Sequence, residues 1–344
     1  MKNNLDSREW QPYKIGKLFE LSKGVYLGKK YLELGYNPYV TATTNNNGII
    51  EFIKNKPLFP KNSITIEKVS LASFYQPKSF YCSHDVSVIL SQKINKYIGL
   101  FLTTMINRQG YKYSYGRQAQ LNVVKRETIF LPINKKQKPD YQFMEDYSKN
   151  LLEAKKVKYL DYNKKKLADL EYKEIEPLES KEWKEFFVKD IFTLIQRGKR
   201  LIKNAQIKGD MPYISSTASK NGVDNFLSNK ESVRIFSNCI TIANSGSVGA
   251  SFFHPYSFVA SDHVTHLKNE EFSKYIYLFV ATIANRYSEK YNFNREINDA
   301  RLSREKIILP ITLKGQPDYQ YMEQYIKNVE YKKRIKYMNF IDKK

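Results

Sequence analysis

The sequence predicts an α+β protein built from two copies of one mixed α/β domain, each followed by a long helix, with the two helices packed antiparallel. Three observations predict this fold class: a long internal repeat, short strand-like segments between turns in each copy, and a helical pattern after each copy. We expect a first domain at 1–140, its helix at 141–178, a second domain at 179–317 and its helix at 318–344.

The internal repeat is the clearest of these signals. PDYQFMEDY at 139–147 recurs as PDYQYMEQY at 317–325, and IFLPI at 129–133 recurs as IILPI at 307–311. Likewise, NSITI at 62–66 matches NCITI at 238–242, and SREW at 7–10 matches SKEW at 180–183. The distance between matched residues grows from 173 to 178 along the chain, which indicates a duplication with small loop insertions. Solenoid repeats span only about 20–50 residues, so each copy is a domain.

Each copy begins with short strands and then forms a helix. The β-branched segments Ser63–Glu67 and Val86–Leu90 are predicted strands, because turn-forming Asn-Gly and Pro residues separate such segments. A helix is predicted at Tyr97–Arg108 and again at Tyr275–Arg286. An apolar strand that ends in Leu-Pro closes each domain.

A long helix follows each domain. Asp140 and Asp318 suit its N-cap, because a carboxylate accepts hydrogen bonds from the first free amides. The first helix is expected to run from about Tyr141 to Tyr172, with an apolar stripe formed by Met144, Tyr147, Leu151, Ala154, Val157, Leu160 and Leu167. Neither helix can bury its stripe alone, so antiparallel packing is expected; the alternative is that each helix lies on its own domain.

Charge indicates the kind of partner. The chain has 57 Lys and Arg against 35 Asp and Glu, a net charge of +22. A lysine-rich composition alone does not explain why acidic residues fail to balance these cations, so we expect a nucleic-acid partner. The two cysteines form no disulfide framework, which suits a reducing compartment. The N-terminus lacks the apolar stretch of a signal peptide, and the apolar runs are too short to span a membrane, so we expect a cytoplasmic protein.

A nuclease centre is the first catalytic alternative. Asp140 with the triplet at 153–155, and Asp318 with the triplet at 330–332, resemble the Asp and Glu-x-Lys of metal-dependent nucleases. The two triplets are 177 residues apart, whereas the surrounding residues match at 178. Each aspartate also lies about 20 Å from its triplet along one helix, too far to share a metal ion.

Other catalytic motifs are incomplete as well. Asn37-Pro38-Tyr39 resembles part of an adenine methyltransferase motif, but the second copy has Met211 in place of the asparagine, and no Gly-rich cofactor loop is present. His84-Asp85 recurs in swapped order as Asp262-His263, which disfavours a shared metal site. The segment 245–249 lacks the first glycine of a hydrolase nucleophile elbow. We therefore expect no catalytic and no metal site in this chain.

Binding residues, in contrast, recur in both copies. The stretches YKYSYGRQ at 111–118 and EKYNFNRE at 289–296 interleave cations with aromatic side chains, and the polar loops TATTNNNG at 41–48 and SSTASKNG at 215–222 follow each Pro-Tyr pair. Arginine and amide side chains can pair with base edges, and tyrosine can bind phosphate. The predicted DNA-binding residues are Thr44, Asn45, Asn46, Arg108, Tyr113, Tyr115, Arg117, Gln118, Ser216, Lys220, Asn221, Ser247, Arg286, Tyr291, Asn294 and Arg295.

The order of these features resembles the specificity subunits of restriction–modification systems. An opening Trp, a Pro-Tyr followed by Asn-Gly, a Leu-Pro strand and a long helix occur twice, over nearly the whole chain. The Pro-Asp-Tyr-Gln tails resemble the small subunit of BcgI-like type IIB systems, with type I specificity subunits close behind. The resemblance implies two target-recognition domains for double-stranded DNA, and helices that set their spacing and bind a methyltransferase/nuclease subunit.

The resemblance also places the chemistry in that partner. It implies no cofactor in this chain, and S-adenosylmethionine and Mg²⁺ in the partner subunit, whose complex would be a DNA adenine methyltransferase and endonuclease. Two alternatives stay open: a chain that is itself a nuclease or methyltransferase, and an anti-restriction decoy with the same fold.

Overall fold

The structure of the protein is a computed structural model that describes residues 5–292 and 294–343. The chain forms two units, Met1–Tyr159 and Leu160–Lys344. The mixed helix and sheet content of both units confirms the predicted fold class. No helix within the described residues is long and apolar enough to cross a membrane.

Unit 1 contains three small sheets and the helices that cover them. Its strands are β1 (Trp10–Lys14), β2 (Glu20–Lys23), β3 (Leu34–Val40), β4 (Ile49–Ile53), β5 (Ser63–Glu67), β6 (Ser73–Gln76), β7 (Tyr81–Cys82), β8 (Val86–Leu90) and β9 (Thr128–Pro132). Its helices are α1 (Ile15–Leu18), α2 (Lys96–Asn107), α3 (Leu121–Arg126) and α4 (Tyr141–Ala168), the last of which continues into unit 2. The sheets have the orders β2-β8-β5-β6, β4-β3-β7 and β1-β9.

Unit 2 repeats this arrangement. Its strands are β10 (Trp183–Phe187), β11 (Leu194–Arg197), β12 (Lys208–Ile214), β13 (Val223–Leu227), β14 (Ile235–Phe236), β15 (Cys239–Ala243), β16 (Ser251–His254), β17 (Phe258–Ala260), β18 (Val264–Lys268) and β19 (Lys306–Pro310). Its helices are α5 (Val188–Ile191), α6 (Lys274–Ala284), α7 (Tyr287–Lys290), α8 (Asp299–Ser303) and α9 (Tyr319–Asp342). The sheets have the orders β11-β18-β15-β16, β13-β12-β17-β14 and β10-β19, so the duplication seen in sequence is a duplication of topology.

The repeated sequence motifs build the cores. Trp10 stacks on Phe101 of α2, and Tyr147 of α4 meets the same ring edge-on. The second copy repeats both contacts with Trp183, Phe279 and Tyr325. The first turns of each long helix therefore pack on the domain that precedes them, and they bury a methionine, Met144 or Met322, completely.

The starts of the two long helices are as predicted. Asp140 accepts a hydrogen bond from the Phe143 amide at 3.1 Å, and Asp318 accepts one from the Tyr321 amide at 3.0 Å. Each carboxylate therefore satisfies one of the amides that a helix leaves without a partner at its first turn.

The end of α4 differs from the prediction, because the helix ends at Ala168 and not near Tyr172. The chain beyond it is extended alongside α9, where the side chain of Asn328 forms two hydrogen bonds with the Lys173 backbone. It accepts one from the amide at 3.2 Å and donates one to the carbonyl at 2.6 Å. These bonds replace the helical partners of that backbone.

The apolar stripe of α4 is buried only at its beginning. Leu151 and Val157 are 44% and 55% exposed, whereas Met144 is fully buried. Antiparallel packing of the two long helices stays a prediction. Within unit 2, α9 packs against α6 and contacts the segment after α4 through the Tyr172–Tyr331 ring pair. It also meets the end of α4, where Arg334 donates a hydrogen bond to Asn163 at 2.6 Å.

One buried position distinguishes the two cores. In unit 1, Gln76 donates to the Thr65 hydroxyl at 2.9 Å; in unit 2, His254 occupies the matching position, with its Nε2 2.8 Å from the Thr241 hydroxyl. Burial lowers the pKa of His254 from 6.5 to about 4. Between pH 6.5 and about 4, the buried imidazole is therefore neutral, whereas an exposed histidine is charged.

We expect acid to destabilise unit 2 through His254. Between pH 6.5 and 4 the unfolded chain binds a proton at this histidine and the folded chain does not, so stability is full above pH 6.5 and falls toward pH 4. The loss amounts to about 3 kcal/mol at pH 4. The substitution His254→Gln introduces the residue that unit 1 has at this position. Between pH 7 and 4.5, the melting temperature of this variant should fall by less than that of the natural chain. An identical pH dependence in both proteins would contradict this expectation.

Candidate nucleic-acid interface

Four loops meet at one end of each unit. We name them L1 (41–48 and 215–222), L2 (68–72 and 244–250), L3 (83–85 and 261–263) and L4 (108–120 and 286–298). The four loops of one unit are together called its loop edge. In unit 2, Phe293 of L4 lies outside the described residues.

The sheet register brings L1, L2 and L3 together in unit 1. Glu67, at the end of β5, pairs with Val86, at the start of β8, so L2 and L3 leave the same side of the sheet. The Ser83 amide donates to the Val40 carbonyl at 2.9 Å, which places L3 beside the start of L1. L4 joins them because the Ala119 amide donates to the Lys68 carbonyl at 2.7 Å.

Unit 2 repeats the arrangement with the corresponding atoms. The Ser261 amide donates to the Ile214 carbonyl at 3.0 Å, and the Ile297 amide donates to the Asn244 carbonyl at 3.1 Å. L2 also contacts L1 directly, since the Ser247 amide donates to the Ser216 carbonyl at 3.0 Å. Two serines predicted separately from the sequence therefore lie together.

The predicted L1 residues lie on the surface. Thr44, Asn45 and Asn46 are exposed in unit 1, as are Lys220 and Asn221 in unit 2. The two loops have one backbone shape, because Asn46 and Asn47 have positive φ angles of 48° and 57°, and Lys220 and Asn221 have 51° and 53°. The two L1 loops therefore have the same backbone conformation but carry different side chains.

The predicted L4 residues divide into two groups. Tyr115, Arg117, Asn294 and Arg295 are exposed and Gln118 is half-buried, on a tight turn that the backbone bonds between Ser114 and Arg117 close in unit 1. The hydroxyls of Tyr113 and Tyr291, in contrast, donate to Glu127 and Glu305. These tyrosines therefore fasten L4 to the domain through their hydroxyls, and their contact with DNA stays a prediction.

The glutamates that hold these tyrosines are ionised anchors. Lys112 donates to Glu127 at 2.7 Å, and Lys290 donates to Glu305 at 2.8 Å. Burial by itself would raise the pKa of both carboxyl groups, but the hydrogen bonds from lysine and tyrosine outweigh it and lower the pKa. Burial and the bond to Glu127 raise the pKa of Tyr113. The same three-residue anchor therefore fixes L4 in both units.

Arg108 and Arg286 stand apart from the loop turns. Arg108 is exposed at the end of α2 and borders a largely apolar cavity of about 680 Å³ between α2 and α4, which Trp10 and Leu151 also line. Arg286 forms an exposed ion pair with Glu289 at 3.5 Å. Arg108 therefore caps the end of α2, and Arg286 precedes the first turn of α7.

Several residues of the loop edge were not selected from the sequence. In unit 1 they are Lys68, His84 and Asp85, and Tyr26 packs against His84 from outside the four loops; in unit 2 they are Ser245, Asp262 and His263. The His-Asp pair that recurs in swapped order could have indicated this part of the loop edge, but from the sequence it was interpreted only as a candidate metal site. Among the described residues, no group of three or more His, Cys, Asp or Glu could hold a metal ion. Cys82 and Cys239 are buried free thiols, and burial raises the pKa of each to about 12.

Two like scaffolds that present polar and cationic loops, in a chain of net charge +22, define a class: a nucleic-acid-binding protein with two recognition modules. The chain belongs to the family of type I restriction modification DNA specificity domains, whose pattern matches residues 7–160 and 180–337. It therefore carries two DNA-recognition domains in tandem.

Individual relatives agree with this family. The chain is 28% identical to the type II restriction enzyme BcgI specificity subunit of Heyndrickxia coagulans, over 94% of this chain and 95% of that protein. It is 25% identical to a protein of Mycoplasma pneumoniae described as a type I specificity subunit, over 88% and 86% of the two chains. The crystal structure of a type I S subunit from M. genitalium shares the fold, with a TM-score of 0.56, 16% identity and coverage of 99% and 95%.

Proposed function

We propose that this chain recognises an asymmetric, bipartite double-stranded DNA target, one half-site through each loop edge, and directs a separate methyltransferase/nuclease subunit to it in the cytoplasm. The observation that carries the proposal is the pair of loop edges, which share one backbone frame but present different side chains. Different donors and acceptors on the same frame select different bases.

The proposal assigns the chemistry to the partner. S-adenosylmethionine and Mg²⁺ would be bound there, and the complex would act as a DNA adenine methyltransferase and endonuclease. Membership in the DNA specificity family supports this assignment.

Selection from a random duplex library with the full-length chain tests the target. The expected result is a motif in two unlike halves, separated by several unrecognised base pairs. A single uninterrupted motif would contradict the proposal. Assays of methylation and cleavage should show activity only when the partner subunit is added; activity of the purified chain alone would establish a catalytic protein instead. Specific binding with no methyltransferase gene nearby would favour an anti-restriction decoy.

Arg117 and Arg295 offer a test of the division between the two half-sites. Both arginines are exposed on matching L4 turns, and a lost bidentate contact to guanine costs about 1–3 kcal/mol. We expect Arg117→Ala to weaken recognition of one half-site and Arg295→Ala that of the other, with binding measured on targets altered in a single half.

Two controls separate the possible roles of these arginines. Arg→Lys at each position keeps the charge but not the planar fork, so it should restore a phosphate contact and leave a bidentate base contact impaired. A lowered melting temperature in the alanine variants would show instead that the side chains stabilise the domain.

A further inference from the structure

The short turn L3 carries one histidine and one aspartate in each unit, but in opposite order. The order is His84-Asp85 in unit 1 and Asp262-His263 in unit 2. The two turns occupy the same position, because the preceding serine amide donates to the end of β3 or of β12 in the same way. The position of the carboxylate in one unit is therefore the position of the imidazole in the other.

The turn does not need these side chains to form. Its backbone is closed by bonds from the Val86 amide to the Ser83 carbonyl at 3.1 Å and from the Val264 amide to the Ser261 carbonyl at 3.2 Å. The side chains of His84, Asp85, Asp262 and His263 remain 46%, 31%, 33% and 56% exposed. They are held at the surface of the loop edge, where L1, L2 and L4 also meet.

The surroundings of the turn favour hydrogen-bond donors in unit 1. The Lys68 ammonium pairs with the Asp85 carboxylate at 2.7 Å, and His84 Nε2 lies 3.3 Å from the same oxygen. The Tyr26 ring packs edge-on against His84 at 5.4 Å between centroids. The lysine ammonium neutralises the carboxylate and has further N–H donors, so the cluster can donate hydrogen bonds to a ligand without a net charge.

The surroundings in unit 2 favour an acceptor. Two residues of L2 meet the turn: the Asn244 amide donates to the His263 carbonyl at 2.8 Å, and the Ser245 hydroxyl lies 2.7 Å from His263 Nδ1 and holds the imidazole. Among the described residues, the basic side chain found within 4.0 Å of the Asp262 carboxylate is that of His263 itself, at the limit of that distance. The carboxylate therefore keeps its capacity to accept hydrogen bonds from a ligand.

We propose that L3 is a base-recognising turn in each unit, and that the swapped order makes the two half-sites differ. The lysine donors at the unit 1 turn match the O6 and N7 acceptors of guanine, whereas the Asp262 carboxylate matches the amino group of cytosine or adenine. This inference rests on the proposed function and names the base class that one loop of each edge selects.

Exchange of the two residues tests the inference in the full-length chain. One variant combines His84→Asp with Asp85→His, and a second combines Asp262→His with His263→Asp. A control combines Glu33→Lys with Lys54→Glu, because this exposed pair, 4.0 Å apart, lies at the opposite end of β3 from L1. All four proteins are compared by selection from one random duplex library.

Each L3 exchange should change the preferred base at one or two adjacent positions of a single half-site, by about tenfold or more. The other half-site and the control should keep the natural preference. An unchanged motif in both exchange variants would overturn the inference while leaving the proposed function intact. Failure of the natural chain to select any motif would instead contradict the proposed function.

Folding is checked separately by melting temperature. If an exchange unfolds its unit, Asp262→Asn replaces it, because the amide keeps the size of the carboxylate but turns one acceptor oxygen into a donor. This variant should lose preference for the amino-bearing base at one position, as measured with duplexes altered there. An unchanged preference would overturn the inference for unit 2.

Discussion

Binding of this protein to DNA should weaken about 10³- to 10⁵-fold when the salt concentration rises from 50 to 200 mM. A protein that neutralises six to ten phosphates releases as many counterions, and the logarithm of affinity falls with a slope of about −0.9 per contact. The chain has the charge for this, with 22 Lys and Arg against 9 Asp and Glu in residues 1–140, and 20 against 14 in residues 179–317.

The difference between the domains sharpens this prediction. Residues 1–140 have the larger cationic excess, so alanine replacement of exposed lysines there should reduce the salt slope by about 1 for each lost phosphate contact. Fluorescence anisotropy with a labelled duplex at several salt concentrations measures both effects. A slope near zero for the natural chain would contradict DNA binding through phosphates.

The second large effect is expected from shortening α4. Deletion of Lys155–Lys158 removes about one turn, or 6 Å, from the helix that continues from unit 1 into unit 2. If this helix sets the separation of the half-sites, affinity for the natural target should fall at least about a hundredfold, since a lost half-site forfeits several base contacts of about 1–3 kcal/mol each. Targets whose spacer is about two base pairs shorter should recover part of the affinity.

The deletion also removes three lysines, so the control is a variant that keeps the full length of α4 but lacks the same three charges. Lys155→Gln, Lys156→Gln and Lys158→Gln combined should lower the affinity for every spacer alike and keep the preferred spacer. The measurement is binding to a series of duplexes that differ by single base pairs in the spacer. A deletion variant that still prefers the natural spacer would show that the length of α4 does not determine it.

The sequence predicted what depends on short-range patterns. β5 and β8 have the predicted ends, and α2 and α6 begin one residue before the prediction, because β-branched runs and helical periodicity are properties of neighbouring residues. Asp140 and Asp318 could be identified as caps for the same reason. The repeat supplied the tandem arrangement, since two matching copies must adopt matching folds.

The remaining features depend on contacts between distant residues. Tyr113 looked like a surface ligand in YKYSYGRQ, but Glu127 binds its hydroxyl from fourteen positions away. The segment after α4 is held by Asn328, which is 155 residues beyond the backbone it binds. The neighbours of L3 were likewise hidden, because Lys68 and Asp85 meet only through the pairing of β5 with β8. No local pattern encodes such proximity.

The anchor of L4 has a consequence for how such chains change over evolutionary time. Lys112, Tyr113 and Glu127 recur as Lys290, Tyr291 and Glu305, whereas the turn between the anchoring tyrosine and the next helix differs in most letters. Substitutions of the exposed side chains in that turn should therefore cost little stability, because the side chains that anchor L4 lie outside it. New DNA specificities can then arise by drift or recombination in one half of the gene, without a compensating change in the other.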